Sequence, residues 1–315
     1  MLRYIAGRII AFIPVLLGVL TVVFLLIRLI PGDAIQLFLG TQVEMTPAQM
    51  TELRHVFGVD TPVWRQYLDY LTRIGHGDFG VSLRTSRLIL PDILARLPVS
   101  FELAIIAVAI AVAVAVPLGS ISALLRNSPL DVLARIGGLL ALSIPSFWLG
   151  TMLILVFSRS SYLMIGQYTS LFIDPVRNLQ IMFLPGVSLG LAIAAILLRY
   201  TRSSLLEVLA QDYVRTARSK GLREALVIAR HALPNAMLPV ITVIGFQLGY
   251  LLGGTVVIEE IYALPGMGRL ALNAIVQRDY PIVQGVVLVI AFLFVLTNLL
   301  VDILYAWVDP RIRYE

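Results

Sequence analysis

The stretch Tyr213-Val-Arg-Thr-Ala-Arg-Ser-Lys-Gly221 continues through a second basic segment to His231-Ala-Leu-Pro234 and lies between two long apolar segments. Its basic residues are Arg215, Arg218, Lys220, Arg223 and Arg230. Lys and Arg in the short loops of membrane proteins are concentrated on the cytoplasmic side. The stretch therefore predicts a cytoplasmic loop between two membrane-spanning helices, and the rest of the chain can be oriented from it.

The composition also indicates a membrane protein. Hydrophobic residues make up 59% of the 315 residues and charged residues only 14%, against about 25% charged in a typical soluble domain. The net charge of +5 includes no long basic run, so it fits positive loops on a membrane surface and not nucleic-acid binding. Without cysteine the chain has no disulfide and no thiolate metal site, and its three scattered histidines predict no metal site either.

Six apolar stretches are long enough to span a bilayer, since a spanning helix needs about 20 mostly apolar residues. They are residues 9–30, 101–124, 136–157, 181–199, 236–258 and 283–307. The first is longer than a signal-peptide core and lacks a small-residue cleavage site, so we expect it to be retained. The sequence predicts an all-α integral membrane protein with six transmembrane helices.

The arginines that flank these stretches orient them consistently. Arg3 and Arg8 precede the first span, and Arg311 and Arg313 follow the sixth. With the basic loop between spans four and five, they place both termini in the cytoplasm. The expected domains are the first helix (1–30), an extracytoplasmic domain (31–98), a five-helix core (99–307) with a cytoplasmic loop at 201–235, and a cytoplasmic tail (308–315).

The outer segment 31–98 carries helix signals of its own. Thr46-Pro47-x-Gln49 predicts a helix that Gly58 ends, and Thr61-Pro62 predicts a second helix that ends near Gly75. The second helix has an apolar face formed by Trp64, Tyr67, Leu68, Leu71 and Ile74. Either neighbouring loops or a docked partner must cover this face. Glycines then mark a turn before Pro91 and a short amphipathic helix ahead of span two.

The cytoplasmic loop predicts two short helices joined by a glycine bend. Ser204-Leu-Leu-Glu207 is a capping-box pattern that starts the first helix, and Gly221 suits the position just after its end. Residues 222–232 form the second, which Pro234 ends. The small Ala217 and Gly221 would let another protein approach closely. The alternative is an ordinary basic loop whose charges only fix the topology.

The alanine, the glycine four residues later and the Leu233-Pro234 pair resemble the signature loop of ABC-importer permeases. That family's general motif reads Glu-Ala-Ala, then Gly, then Ile-x-Leu-Pro, whereas this chain has Arg215-Thr216-Ala217 and His231 in place of the Ile. These departures resemble the peptide-importing branch. By this resemblance the loop docks on an ATPase through Tyr213, Arg215, Thr216, Ala217, Lys220, Gly221, Leu233 and Pro234.

Other motifs resemble the dipeptide/oligopeptide/nickel/glutathione branch of that family. They are Gly77-Asp-Phe-Gly80, Arg96-Leu-Pro-x-Ser100-x-Glu102-Leu, Ile144-Pro-Ser-Phe-Trp148-Leu-Gly, Pro265-Gly-Met-Gly-Arg269, Arg278-Asp-Tyr-Pro281-Ile-Val-Gln-Gly285 and Asp309-Pro-Arg-Ile-Arg313. The resemblance implies a type I ABC-importer permease fold in a bacterial cytoplasmic (inner) membrane. It also implies a second homologous permease, two ATPase subunits that bind ATP and Mg, and an extracytoplasmic binding protein, with no cofactor in this chain.

Polar and small residues within the spans suggest a pathway or gate. Ser143, Pro145 and Ser146 interrupt span three, where the serines either compensate a proline bend or contact substrate. Gly245, Gly249 and Gly253 allow close helix packing, either static or sliding, and Gln247 and Tyr250 on the same helix would face a cavity. Glu259, Glu260 and Arg269 surround the Pro265-Gly266 turn, which is either an external gate or a plain loop. We expect Asp302 to pair with an arginine such as Arg199 or Arg202.

Competing functions are limited by what the sequence lacks. It contains no Walker A motif and no His-Glu-x-x-His, so neither ATP hydrolysis by this chain nor metalloprotease chemistry is expected. A secondary, ion-coupled transporter or a membrane anchor without ATPase coupling remains the alternative. The prediction is a non-enzymatic permease subunit that passes peptides delivered by a binding protein. Dipeptides, oligopeptides, glutathione-like compounds and nickel chelates all remain open as ligands.

Overall fold

The computed structural model describes residues 2–28, 60–158 and 167–308. Within these ranges every regular element is a helix, and the only β feature is an isolated bridge between Val81 and Leu88. The predicted all-α class is therefore confirmed for the described part of the chain. The first predicted helix of the outer segment, near residues 47–58, lies outside the described residues.

The helices are numbered here in chain order. They are α1 (Leu2–Arg28), α2 (Val63–Gly75), α3 (Ile89–Leu124), α4 (Pro129–Ser143), α5 (Ser146–Phe157), α6 (Pro175–Leu209), α7 (Asp212–Ser219), α8 (Glu224–Gly254, with a π-helical turn at Val227–Ala232), α9 (Val256–Ile261), α10 (Met267–Val276) and α11 (Tyr280–Val308).

The described residues account for four or five of the six predicted spans. In the described ranges α3, α6, α8 and α11 are long and apolar enough to cross a membrane, and the bent pair of α4 and α5 makes five. In α1 the stretch Ile10–Leu25 is apolar, within a helix that runs from Leu2 to Arg28. The predicted first span, 9–30, extends past the described residues.

Small residues bring α3 and α6 into the most extensive helix contact of the structure. Ala104, Ala107, Ala111 and Ala115 of α3 are fully buried. Facing them, a methyl group added at Gly190 would lie 2.7 Å from the Ala107 carbonyl oxygen. Small side chains allow helix backbones to approach closely, and this contact is what holds helices together where lipid removes the hydrophobic driving force. These two helices form the centre of the bundle.

The third predicted span is not one continuous helix. Helices α4 and α5 meet at Ile144-Pro145 with an angle of 97° between them. Pro145 has an extended backbone (φ −62°, ψ 134°) and its nitrogen has no hydrogen to continue the helical ladder. The sequence predicted a bend at this proline, but the structure shows a break.

The end of the segment 31–98 is continuous with the bundle. Helix α3 begins at Ile89, inside the segment assigned to the domain 31–98, and it runs through Pro98 without interruption. The predicted amphipathic helix ahead of span two is therefore the first part of α3. Helix α2 confirms the helix predicted to end near Gly75. Its Tyr67 ring packs edge-on against Phe24 of α1, whereas Trp64 and Leu68 of the same predicted face are exposed.

Two of the sequence motifs are joined in the structure. The buried Asp279, from the motif Arg278–Gly285, accepts a hydrogen bond from Ser82 Oγ, just after the motif Gly77–Gly80. Gly77 and Gly80 have φ of 77° and 80°, which suits glycine. Within this turn Arg73 and the Gly80 N–H both donate to Asp78 at 2.8 Å, and these bonds lower the pKa of the Asp78 carboxyl.

Candidate functional site: a basic loop and a buried glutamate cluster

Six of the predicted ATPase-coupling residues lie on α7 or directly after it, and Leu233 and Pro234 lie in α8 just after its π-helical turn. Helix α6 ends at Leu209, the chain turns at Ala210 and Gln211, and α7 follows from Asp212 to Ser219. Val214 and Ala217, three residues apart, share the inward side of α7. They are buried against Val227 of the π turn, with Val208 and Leu209 beside them. This small apolar cluster fixes α7 against the ends of α6 and α8.

The opposite side of α7 is exposed. The Tyr213 ring is 44% exposed, the Arg215 side chain is 83% exposed, and Thr216 and Lys220 are exposed as well. A short helix whose inner side is packed and whose outer side carries polar and basic groups can bind another protein without unfolding.

Gly221 has the left-handed backbone that the sequence predicted, with φ of 74°. No other atom lies within 4 Å of the position of an added Cβ, so the backbone conformation and not packing requires glycine here. Across the bend, Arg218 Nη2 of α7 donates to Glu224 Oε1 of α8 at 2.6 Å, and this bond bridges the two helices. This hydrogen bond raises the pKa of the Arg218 guanidinium.

Three local predictions for the loop were wrong. Ser204 does not start a helix, since it lies inside α6 and donates from Oγ to the Ala236 carbonyl at 2.8 Å. Pro234 does not end a helix, because the π turn just before it allows α8 to continue through a residue that cannot donate. Ala217 was expected on the docking surface, but it is 7% exposed and its small size serves packing within the chain.

Glu259 is the centre of a buried polar cluster on the opposite side of the bundle. Its side chain is fully buried. Oε1 accepts hydrogen bonds from Ser100 Oγ of α3 at 2.6 Å and from Thr255 Oγ1 at 2.7 Å, and Oε2 accepts from the Arg269 N–H at 2.9 Å. The carboxylate therefore connects α3, α9 and α10.

Glu259 also occupies the N-terminus of α10. The residue before that helix is Gly266, which has no side chain to cap it, and the Glu259 carboxylate accepts a free N–H of the first turn instead. A Cβ on Gly266 would collide with that carboxylate. Ser100 Oγ in turn accepts from the Met267 N–H at 2.8 Å. The turn at Pro265-Gly266 is thus held rigidly against α3.

The neighbouring charges lie at the rim of this cluster. Glu260 Oε2 is 3.2 Å from Arg269 Nε, and Arg269 Nη1 donates to the Ala263 carbonyl at 2.9 Å. Tyr262, at the end of α9, donates from its hydroxyl to the Gly150 carbonyl of α5 at 3.2 Å. The structure brings Glu259, Glu260 and Arg269 together around the Pro265-Gly266 turn. It adds Ser100 and Thr255, whose roles no local pattern revealed.

The residues proposed to line a pathway lie away from the Glu259 cluster, at the break between α4 and α5 and on α8. Ser143 and Pro145 are exposed at the α4–α5 break, with Ser146 half-buried, and Ser143 Oγ donates to the Leu139 carbonyl of its own helix. On α8, Tyr250 is 62% exposed and Gln247 is half-buried. The glycines of α8 face α11, where Gly249 lies close to Phe294 and Gly253 close to Ile290.

Two further expectations concern charges. Arg202, offered as a partner for Asp302, pairs instead with Asp131 at 2.8 Å; the Asp302 side chain lies outside the described residues. Among those residues, no group of three or more histidine, aspartate or glutamate side chains is arranged to hold a metal ion.

Comparison with known proteins assigns the family. Residues 115–314 match the family described as binding-protein-dependent transport system inner membrane component, and residues 1–104 match the N-terminal family of the same membrane components. The chain belongs to this family. It is therefore the membrane component of a binding-protein-dependent ABC transport system and not its ATPase, which is a separate subunit. This overturns the ion-coupled alternative.

Curated relatives match over the full length of both chains. Dipeptide transport system permease protein DppB of Alkalihalophilus pseudofirmus is 40% identical, and DppB of Escherichia coli K12 and glutathione transport system permease protein GsiC of Pectobacterium atrosepticum are each 39% identical. A solved amino acid ABC transporter aligns with a TM-score of 0.47 and 18% identity, over 70% of this chain and 94% of that one.

Proposed function

We propose that this chain is a permease subunit that passes peptides or related small ligands through the cytoplasmic membrane of a bacterium. Two supports are independent of each other. Relatives named for dipeptide and glutathione transport match the whole chain, and the described helices include buried small-residue contacts typical of membrane bundles. The ligand within this class is chosen largely by the binding protein, so dipeptides, oligopeptides, glutathione and nickel chelates stay open.

The assembly would contain a second, homologous permease, two ATPase subunits beneath the membrane and a binding protein outside. In this arrangement six helices span the bilayer and both termini are cytoplasmic. The segment 31–98 forms a small extracytoplasmic domain over the mouth of the pathway. The positions of the flanking arginines support this orientation.

The single observation that carries the mechanism is that one side of α7 is packed against the bundle while its opposite side is exposed. Its inner residues, Val214 and Ala217, are fixed against Val227, so a push on the exposed Tyr213, Arg215 and Thr216 moves α6 and α8 together instead of bending the loop. Of the remaining coupling residues, Lys220 and Gly221 form the bend, and Leu233 and Pro234 lie in α8 just after its π-helical turn. Closure of the ATPases on ATP would thus reach the spans as movement of two helix ends.

The Glu259 cluster would then act as the external gate. Its bonds hold the turn at Pro265-Gly266 against α3, and Tyr262 connects the same segment to α5. Opening towards the outside requires these contacts to move as one body or to separate. Ser143, Pro145 and Ser146 at the break, with Gln247 and Tyr250 on α8, are the proposed lining of the cavity.

Substitution of Gly221 tests the coupling role. Gly221→Val places a β-branched residue at φ 74°, where strain is about 1–3 kcal/mol, and we expect uptake of radiolabelled alanylalanine to fall at least about tenfold with normal membrane insertion. Gly221→Asn is the matched control, because asparagine tolerates this conformation, and it should retain most uptake. Equal uptake by the two variants would contradict the assignment.

A further inference from the structure

Asp131 is a fully buried carboxylate that is held by three parts of the structure. Its Oδ1 accepts from Ser122 Oγ of α3 at 2.6 Å and from Arg202 Nε of α6 at 2.8 Å. Its Oδ2 accepts from Arg202 Nη2 at 3.0 Å and from the Asn127 N–H at 2.9 Å. A bidentate guanidinium–carboxylate pair fixes orientation as well as distance, because two parallel bonds resist rotation.

The pair is the firmest attachment of α4 to the bundle. Asp131 is the one buried residue of this helix, all of which is described. The half-buried residues that follow it on the same side are small, namely Ala134, Gly138 and Ala141. No large apolar side chain of α4 is buried, and Leu133 and Leu139 are 64% and 66% exposed. Helix α4 is therefore fixed at its first turn and only loosely held along the rest of its length.

Arg202 lies near the end of α6 that leads into α7. It is roughly two turns before the end of that helix at Leu209, after which α7 follows. Ser204, two residues later, bonds to Ala236 of α8. The end of α6 is thus connected through Arg202 to α4 and through Ser204 to α8.

We propose that the Asp131–Arg202 pair is a positioning pair that carries movement of α6 and α7 into the bent α4–α5 pair during transport. The inference rests on the proposed coupling role of α7. Because α4 is fixed at its first turn, displacement of Arg202 moves that end of α4, and the 97° break at its other end changes its angle. The break carries Ser143, Pro145 and Ser146, the proposed lining of the cavity.

The test uses the complete transporter in proteoliposomes, with its partner permease, ATPases and binding protein. Arg202→Lys keeps the charge and removes the bidentate bond. We expect ATP hydrolysis within about twofold of wild type but about tenfold fewer alanylalanine molecules imported per ATP. Arg135→Gln is the matched control, because Arg135 Nε is 3.5 Å from the same carboxylate but is half exposed, and it should import normally.

A distance measurement separates this role from mere structural support. The chain has no cysteine, so spin labels at Leu139→Cys in α4 and Val156→Cys in α5 report the bend directly. We expect an ATP-dependent change in this distance that Arg202→Lys abolishes. Where that variant does not assemble, the isosteric Asp131→Asn gives the same readout.

Two results would overturn the inference. The first is an unchanged import-to-ATP ratio in Arg202→Lys, and the second is a full ATP-dependent distance change in that variant. Absence of any ATP-driven uptake by the wild type, with alanylalanine, an oligopeptide, glutathione and a nickel chelate each tried, would instead count against the proposed function itself, so the two failures are distinguishable.

Discussion

Glu259 shows how much one residue can connect. Three hydrogen-bond donors, from α3, from Thr255 just before α9 and from α10, converge on its buried carboxylate. The nearby Gly266 is small enough to leave room for it. Removal of a buried acceptor leaves its donors without partners, and each such group costs about 1–3 kcal/mol. The cluster is therefore a point where function and stability depend on the same side chain.

We predict that Glu259→Ala destabilises the chain by about 2–4 kcal/mol, because Ser100 and Thr255 lose their acceptor. Thermal unfolding of the purified protein in detergent, followed by loss of helical circular dichroism, measures the effect. Glu260→Ala is the matched control. Its partly exposed ion pair with Arg269 is worth about 0–1 kcal/mol. If the two neighbouring substitutions lower the melting temperature equally, the Glu259 cluster does not hold the outer turn.

At the residue scale, backbone conformations that depend on neighbouring residues could be predicted from the sequence. Contacts between residues far apart in the chain could not. Gly221 follows a short helix, and its left-handed conformation was predicted from that alone. Ser100 and Glu259 are 159 residues apart, and no local spacing indicates that they meet. Ala217 fits both an exposed and a buried position, because a small side chain is compatible with either.

At the scale of the helices, the close packing of α8 against α11 depends on a glycine. A Cβ on Gly245 would collide with Val301 of α11. We predict that Gly245→Ala destabilises the packing of these helices by about 1–3 kcal/mol, the usual range for overpacking, and that Val301→Ala in the same chain restores much of the loss. The melting temperatures of the two single variants and the double variant measure this coupling.

Gly137 is the control for that substitution, because nothing lies within 4 Å of a Cβ added there in α4. Gly137→Ala should leave stability unchanged or slightly higher, since alanine is the better helix former. If Val301→Ala does not relieve the loss of stability caused by Gly245→Ala, the glycine is required for another reason.

Prolines show why helix breaks were hard to predict. Pro98, Pro117, Pro185 and Pro239 all lie inside continuous helices, whereas the chain breaks at Pro145 with a 97° angle. Every proline removes one helical hydrogen bond. The sequence therefore predicts a bend or break equally at each of them. Helices α3 and α6 pack extensively against each other, and these contacts keep them continuous, whereas α4 buries only Asp131.

For the whole molecule, hydropathy predicted the position of the long helices well. The segments near 101–124, 181–199, 236–258 and 283–307 all fall on long helices of the structure, although each helix extends past the predicted ends or shifts by several residues. Apolar length is a property of the sequence alone. The angle between α4 and α5 is not, because it depends on which neighbours each half meets.

The orientation of the chain gives a prediction at this scale. With no native cysteine, single cysteines report the side of the membrane. We predict that Phe172→Cys, at a 96% exposed position between α5 and α6, reacts with a membrane-impermeant maleimide added to intact spheroplasts. Lys220→Cys in the loop should react only after the membrane is opened. The reverse pattern would contradict the proposed topology.

The central proposal is that the exposed side of α7 contacts an ATPase subunit. Thr216 is exposed on that side, and in a chain without native cysteine Thr216→Cys provides one unique cross-linking site. We predict that a short bifunctional maleimide joins Thr216→Cys to a cysteine on the ATPase subunit in the assembled transporter, and that Leu139→Cys on α4 gives no such product. Failure of Thr216→Cys to cross-link to any ATPase subunit in an assembled, transport-active complex would contradict the proposal.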